Sequence, residues 1–434
     1  MENKIIIIGA GISGLSLAYH LEEMKCRNYL ILEAAAKAGG LCGSYELNGF
    51  TFDYSGHLLH LSSKQGLRLA QKLLGKNALA HKRRAFVHIY GEDLPYPFQN
   101  NLYGLRDAVV SECVKGALTA YKDKKIKDTT LFKNWALALY GEGICKHFMF
   151  PYNQKLWQTD LDKMTSAWCG KFIPAGTLED IIKGAYTRRR KDFGYNAGFL
   201  YPKEGGCGAI CGGLLKKAGN LHLNSEAKEI DLKEKSVKAG GKKYAYDTLV
   251  STMPLKTLGA IIKNLPPPVK RDFELLKHNS VYVLNLGVSG GTKEGHWYYF
   301  PQDKYPFYRA GVQSAFSPAL APQGASGFYI EFAFPGGAVV KEQDLKKMEQ
   351  QTLKHLLELG FIARDAKILA AGWAQIPCAY PIYDVNYETA RKNIIDFLAA
   401  QNIYLLGRFG AWEYSFMEKS LLDGAAMAGK LVKA

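Results

Sequence analysis

The sequence runs to 434 residues and 48.2 kDa, enough for two or three modules sharing a core. A 47% hydrophobic share with 22% charged residues excludes a disordered chain. No run of roughly eighteen apolar residues predicts a membrane span, and the start MENKIIIIGAG is too short for a signal-peptide core, so a cytoplasmic location is expected. The formal charge of +16 is diffuse, densest at His81-Lys82-Arg83-Arg84, at Lys122–Lys127 and at Arg188-Arg189-Arg190-Lys191. It suits an anionic substrate or an acidic membrane surface, and no nucleic-acid module accompanies it. The eight cysteines are scattered, with only Cys207 and Cys211 close, so buried free thiols are expected and no metal site.

From the N-terminus, Lys4–Ile8 predicts a buried parallel strand. Gly9-Ala10-Gly11-Ile12-Ser13-Gly14 follows as GxGxxG, then a helix with Leu15, Leu17, Ala18 and Leu21 on one face. Tyr29–Leu32 predicts a second strand ending in Glu33. Gly9 permits the tight turn, Gly11 lets the backbone approach a pyrophosphate, and Gly14 lets helix and strand pack closely. The pyrophosphate would rest on free N–H groups at the helix start, and Glu33 would accept the ribose hydroxyls. A lone GxGxxG is weak, but strand, turn, helix, strand and acid in this order point to a bound dinucleotide.

Further along, Phe50–Asp53 alternates like a strand and leads into Ser55-Gly56-His57. Residues 104–192 are helical in pattern. After about 199 the pattern turns to strand, helix (AICGGLLKKAG), strand, hairpin and strand, and β-rich runs fall at Val281–Leu286, His296–Phe300 and Gly327–Phe332. Ile403–Leu406 predicts a strand ending in Gly407-Arg408, with a helix from about Leu421. The expected class is α/β: a Rossmann-like dinucleotide-binding domain (1–86, 193–255 and 385–434), a helical insertion (100–192), and a substrate-facing antiparallel sheet domain (87–99 and 256–384).

The second glycine turn, Ala38-Gly39-Gly40-Leu41-Cys42-Gly43-Ser44, coming shortly after Glu33-Ala34, resembles flavoproteins of the amine-oxidase and protoporphyrinogen-oxidase superfamily. That resemblance implies noncovalent FAD held by Gly9, Gly11, Ile12, Ser13, Gly14, Glu33, Ala34, Gly39, Gly40, Leu41, Gly56, His57, Gly407 and Arg408.

Six further blocks, in order over nearly the whole chain, resemble the UDP-galactopyranose mutase family, the eukaryotic type more than the shorter bacterial one. They are Phe52–His57, Leu94–Asn101, Phe148–Trp157, Tyr299–Asp303, Pro306–Arg309 and Gly407–Tyr414. The resemblance implies a nucleotide sugar such as UDP-galactose, attacked at its anomeric carbon by N5 of reduced flavin, interconverting pyranose and furanose in cell-surface polysaccharide synthesis. It assigns catalysis to His57, Arg309 and Arg408. Substrate binding falls to Tyr96, Phe98, Gln99, Asn153, Trp157, Asn196, Tyr299, Tyr380 and Tyr414. NAD(P)H is a candidate external reductant, although no second dinucleotide motif serves it.

Three departures stand out: Lys171-Phe172 where the family has a second diphosphate arginine, His60 in place of an aromatic, and a shortened Ser415–Glu418. Two alternatives therefore stay open beside the mutase. One is an FAD oxidoreductase of the amine-oxidase, protoporphyrinogen-oxidase or desaturase kind, and the other a flavin-binding protein without chemistry. Phe98 and Trp157, taken alone, are equally well explained as core aromatics.

Overall fold

The computed structural model describes residues 4–188, 197–291 and 293–433. Its organising layer is a five-stranded sheet in the order 403–405, 248–251, 5–8, 29–32, 221–222, every pair parallel. The isoleucines of Ile5–Ile8 are almost wholly buried, as a central parallel strand covered on both faces requires. Helix Ile12–Glu23 packs on this sheet and against the last helix, Met417–Lys433. The two helices cross where a Cβ on Gly424 would lie 2.6 Å from Ser16 Cβ, and Ser16 Oγ donates to Leu421 O at 2.6 Å. The last helix thus begins four residues before the expected Leu421. Its first turn holds Glu418, a buried carboxylate that accepts from the backbone and hydroxyls of Ser62 and Ser63 and so caps the neighbouring helix Lys64–Leu74.

A second sheet of seven strands runs 368–382, 277–289, 325–335, 309–312, 297–299, 85–89, 92–95. Its pairs are antiparallel except one: Trp297–Tyr299 runs parallel to Ala85–Ile89, because that strand enters from the N-terminal part of the chain. Residue 86, the expected edge of the cofactor domain, lies inside this strand. Helices Asp107–Asp123, Phe132–Ile144, Phe150–Trp157 and Leu178–Tyr186 make up the helical part, the first two crossing so closely that Gly116 meets Gly141 and Gly143 backbone to backbone.

Helix Phe150–Trp157 is fixed to the large sheet by Lys155. Its ammonium donates to the carbonyls of Phe300 (2.8 Å), Gln302 (3.0 Å) and Tyr305 (2.6 Å). From the sheet side, Asn279 Nδ2 donates to Leu156 O at 2.6 Å. These ties hold Asn153 and Trp157 at fixed distance from the strands that carry Tyr299, Arg309 and Tyr380. No helix among the described residues is long and apolar enough to cross a membrane.

Candidate functional site

Four parallel strands deliver Gly9, Glu33, Thr252 and Gly407 to one edge of the first sheet, the carboxyl edge where open α/β sheets bind ligands. Gly9 has φ +98°, and a Cβ there would lie 2.3 Å from Thr252 Oγ1. A Cβ on Gly14 would lie 2.0 Å from Gly9 O, so helix and turn touch without side chains between them. Gly11 is the N-cap of the first helix, which has neither a capping side chain nor an acid in its first turn. Its leading N–H groups are therefore open to an anion.

The second glycine turn lies against the first. Gly39 N donates to Ala10 O at 2.8 Å, and a Cβ on Gly40 would lie 3.1 Å from Gly11 Cα. Ile12 and Ser13 are buried beneath this trough, Leu41 is half-buried, and Ala34 is exposed. The Glu33 carboxylate turns back onto the first turn, accepting from Ala10 N (2.6 Å) and Ala35 N (2.8 Å). Gly407 closes the trough from the far end of the chain: with φ +75°, its Cβ would lie 2.0 Å from Ser13 Oγ. Two side-chain-free turns at an uncapped helix start fit the pyrophosphate of a dinucleotide.

Beyond the trough lies a chamber lined by aromatics and two guanidiniums. Arg309 sits on the strand Arg309–Val312, opposite Tyr299 on one neighbour and Glu331 on the other. Its Nε and Nη2 donate to the two oxygens of Glu331 at 2.7 and 2.6 Å, a bidentate pair. Glu331 is fully buried and also accepts from Ser55 Oγ (2.5 Å) and, at 3.4 Å, from Gly56 N. Burial alone would raise its pKa, but the charge and hydrogen bonds of Arg309 with those of Ser55 hold it below the usual carboxylate range. Burial works against the Arg309 cation, and Glu331 outweighs it.

His57 follows on the same loop, its Nδ1 3.2 Å from Ser55 O. Burial lowers its pKa; Asp53 and Glu331 oppose this, and the two arginines reinforce it, so the ring is neutral at pH 7. Gly56, which the resemblance assigns to FAD, precedes His57 on this loop. The crowding that demands glycine here comes from Tyr329, whose hydroxyl would lie 2.3 Å from a Cβ. Arg408 is held in another way: its Nη atoms donate to Ser415 O (2.9 Å) and Ala379 O (2.8 Å), and its plane lies 4.7 and 4.9 Å from the rings of Tyr380 and Tyr414.

The remaining expected residues form a connected wall. Tyr96 and Tyr299 have ring centroids 5.0 Å apart. Phe98 stacks on Phe148, which stacks on Tyr152, and Tyr152 meets Tyr299 edge-on. Trp157 is fully buried, donates from Nε1 to Asn153 Oδ1 at 3.0 Å, and meets both Tyr380 and Tyr414 edge-on. Gln99 is buried, its Nε2 on Pro174 O (2.6 Å) and its Oε1 without a partner among the described residues. Asn196 lies outside the described residues.

Sequence reasoning missed Glu331, Tyr152 and Tyr308. Glu331 lay inside the β-rich run Gly327–Phe332, and Tyr152 and Tyr308 inside quoted blocks, none of them singled out; the pairing of Glu331 with Arg309 exists only once their strands are side by side. Burial raises both phenols well above their ordinary range, so they stay protonated. Phe172, singled out as a departure, packs on Tyr414 with centroids 3.9 Å apart, and Lys171 lies over Phe416 at 5.9 Å. Among the described residues no cluster of His, Cys, Asp and Glu is placed to hold a metal.

Fold and site together define a dinucleotide-binding flavoprotein with a second, seven-stranded sheet. The chain belongs to the flavin-containing amine oxidoreductase family, whose profile matches residues 12–432. It is a flavin-dependent enzyme of that superfamily, with FAD as the cofactor the family implies. Among solved structures it is similar to a reduced UDP-galactopyranose mutase, with TM-score 0.93 and 26% identity over 100% of this chain and 94% of the other. A fatty acid isomerase from P. acnes (TM-score 0.66, 16% identity, 99% and 98% covered) shares the fold. So does the cyclohexylamine oxidase of Brevibacterium oxydans IH-35A (TM-score 0.70, 14% identity, 100% and 99% covered).

Proposed function

We infer that this enzyme is a mutase acting on a nucleotide sugar, of the UDP-galactopyranose mutase kind. The observation that carries the reading is the chamber itself, where Arg309 and Arg408 share one aromatic pocket with a neutral His57. The full-length likeness to a mutase supports it. Bound and reduced, FAD would supply a nucleophilic N5 beside the sugar's anomeric carbon.

The chain's own residues would do the rest. Arg309 is oriented by Glu331 through Nε and Nη2, which leaves its Nη1 edge for a phosphate oxygen of the departing diphosphate. The phenols of Tyr152 and Tyr299, kept protonated by burial, can donate hydrogen bonds to the same oxygens, while that of Tyr308 is bonded to Glu331. Tyr96, Phe98, Gln99, Asn153 and Trp157 would take the uridine end, with Gln99 Oε1 an unused acceptor for the base. His57, neutral, can exchange a proton with a sugar hydroxyl.

The test is direct. Dithionite-reduced protein incubated with UDP-galactofuranose yields UDP-galactopyranose by anion-exchange chromatography, with no oxygen uptake; absence of product under full reduction refutes the reading. One contact favours a second reading: the close Phe172–Tyr414 pair gives the chamber an apolar face where a second phosphate clamp is expected. An oxidase acting on an amine would use such a face, and oxygen consumption with a panel of amines distinguishes it.

A further inference from the structure

The stretch Lys115–Lys127 spans the second half of helix Asp107–Asp123 and the loop after it. It holds five lysines, Lys115, Lys122, Lys124, Lys125 and Lys127, against one acid, Asp123. All five are exposed. Among the described residues only Lys125 forms an ion pair, with Asp123 at 3.1 Å. Some exposed helical lysines elsewhere are paired within their own turn or the next, as Lys346 is with Glu342, Lys347 with Asp344 and Lys392 with Asp396.

The same segment exposes apolar side chains. Tyr121 is 62% and Leu118 45% exposed, and Leu139, on the antiparallel partner helix, is 44% exposed. The two helices pair with Glu112 beside Lys146 and Gly116 beside Gly141, a register that brings Leu118 level with Leu139. Lys124 lies over the Tyr121 ring at 5.7 Å, so ammonium and aromatic face share one edge.

We propose that this end of the helical insertion docks on an anionic lipid surface, with Leu118, Tyr121 and Leu139 entering the headgroup boundary and the unpaired lysines meeting lipid phosphates. Exposed lysines in the same segment as exposed tyrosine and leucine are the chemistry of an interfacial anchor, in which apolar burial and charge attraction add. The binding is peripheral and reversible, since three side chains and a short basic run give only weak anchoring. It falls steeply with salt. The proposal uses none of the side chains of the aromatic chamber, so it stands whatever reaction the enzyme catalyses.

The experiment is vesicle sedimentation of the flavin-loaded full-length protein. It compares phosphatidylcholine alone with phosphatidylcholine carrying about 30% phosphatidylglycerol. Wild type is expected to sediment with the anionic vesicles at least about tenfold more than with neutral ones, and to be released by high salt. Replacing Lys122, Lys124, Lys125 and Lys127 by Gln is expected to lower partitioning by about two orders of magnitude. A control replaces Lys346, Lys347, Lys354 and Lys392 by Gln and is expected to bind as wild type. Tyr121→Ser, charge unchanged, is expected to weaken binding several-fold. Unchanged flavin content and melting temperature show that each variant is folded. Equal loss in both quadruple variants would assign binding to the overall charge and overturn the proposal. No anionic preference would overturn it too, as would a dimer in sedimentation velocity that Tyr121→Ser dissociates without any vesicle binding.

Discussion

Replacing Glu331 by Gln tests the electrostatic centre of the chamber. Five donors converge on this carboxylate: Arg309 Nε and Nη2, Ser55 Oγ, Gly56 N and the Tyr308 phenol. The amide keeps the shape and one acceptor oxygen but turns N–H groups toward the guanidinium, leaving a largely buried cation uncompensated. Breaking one side of such a pair costs about 3–5 kcal/mol, and the isosteric change belongs at about 3. Unfolding entropy of about 2.1 cal/mol/K per residue, over 434 residues if they melt together, converts this to a fall in melting temperature of about 3 °C. Urea denaturation followed by circular dichroism reads the loss. Arg309→Met and the double variant complete the cycle, with an expected coupling of about 2 kcal/mol. If Glu331→Gln costs less than about 1 kcal/mol and the two changes add, the pair does not hold Arg309 in place and the argument for its orientation fails.

Three other outcomes follow from the geometry. Gly407→Ala combines a positive φ with a Cβ 2.0 Å from Ser13 Oγ; the purified protein should carry far less flavin, read from the 450 to 280 nm absorbance ratio, and Ser13→Gly should restore part of it. His296 is almost fully buried, and burial takes its pKa from 6.5 down to about 3. The unfolded chain therefore binds the extra proton between those values, and stability should fall by up to about 1.4 kcal/mol per pH unit as pH drops below 6.5. His296→Gln, which keeps an acceptor for Arg84 N, should flatten that slope in urea titrations at stepped pH. Phe172→Arg should tighten UDP binding by about tenfold and leave uridine binding unchanged, by titration calorimetry; equal effects on both would show that the new side chain does not reach phosphate.

The parts of the molecule that were legible in sequence are those whose physics is local. Gly9, Gly11 and Gly14 fall within six residues, and their roles follow from the strand before and the helix after them. Gly407 was readable as a strand end, but its reason, the approach of Ser13, joins residues almost four hundred positions apart and exists only once the sheet is assembled. The long strand Ile368–Ile382 was not anticipated, because alanines, a glycine and two prolines hide its alternation. It survives as an edge strand, where proline costs no ladder bond on the open side. The last helix was expected from Leu421 because its apolar spacing starts there, whereas its true start is set by Glu418 reaching Ser62 and Ser63.

The arginines show most clearly why a count of residue types is weaker than a count of free hydrogen-bond donors. From sequence, Arg309 and Arg408 are two positive charges assigned to catalysis. In the fold, Arg309 has given Nε and one Nη2 hydrogen to Glu331, and Arg408 has given hydrogens to two backbone carbonyls. Pairing with Glu331 nearly cancels the first charge, while the carbonyls leave the second one whole. The field felt by a ligand is therefore centred nearer Arg408, between Tyr380 and Tyr414, than near Arg309. Phe172 packs on that same Tyr414, so the side chain that departs from the mutase pattern touches the wall around the chamber's less compensated cation. Substrate choice should thus respond more to changes at Phe172 and Tyr414 than to changes at Arg309, whose main work is already committed inside the protein.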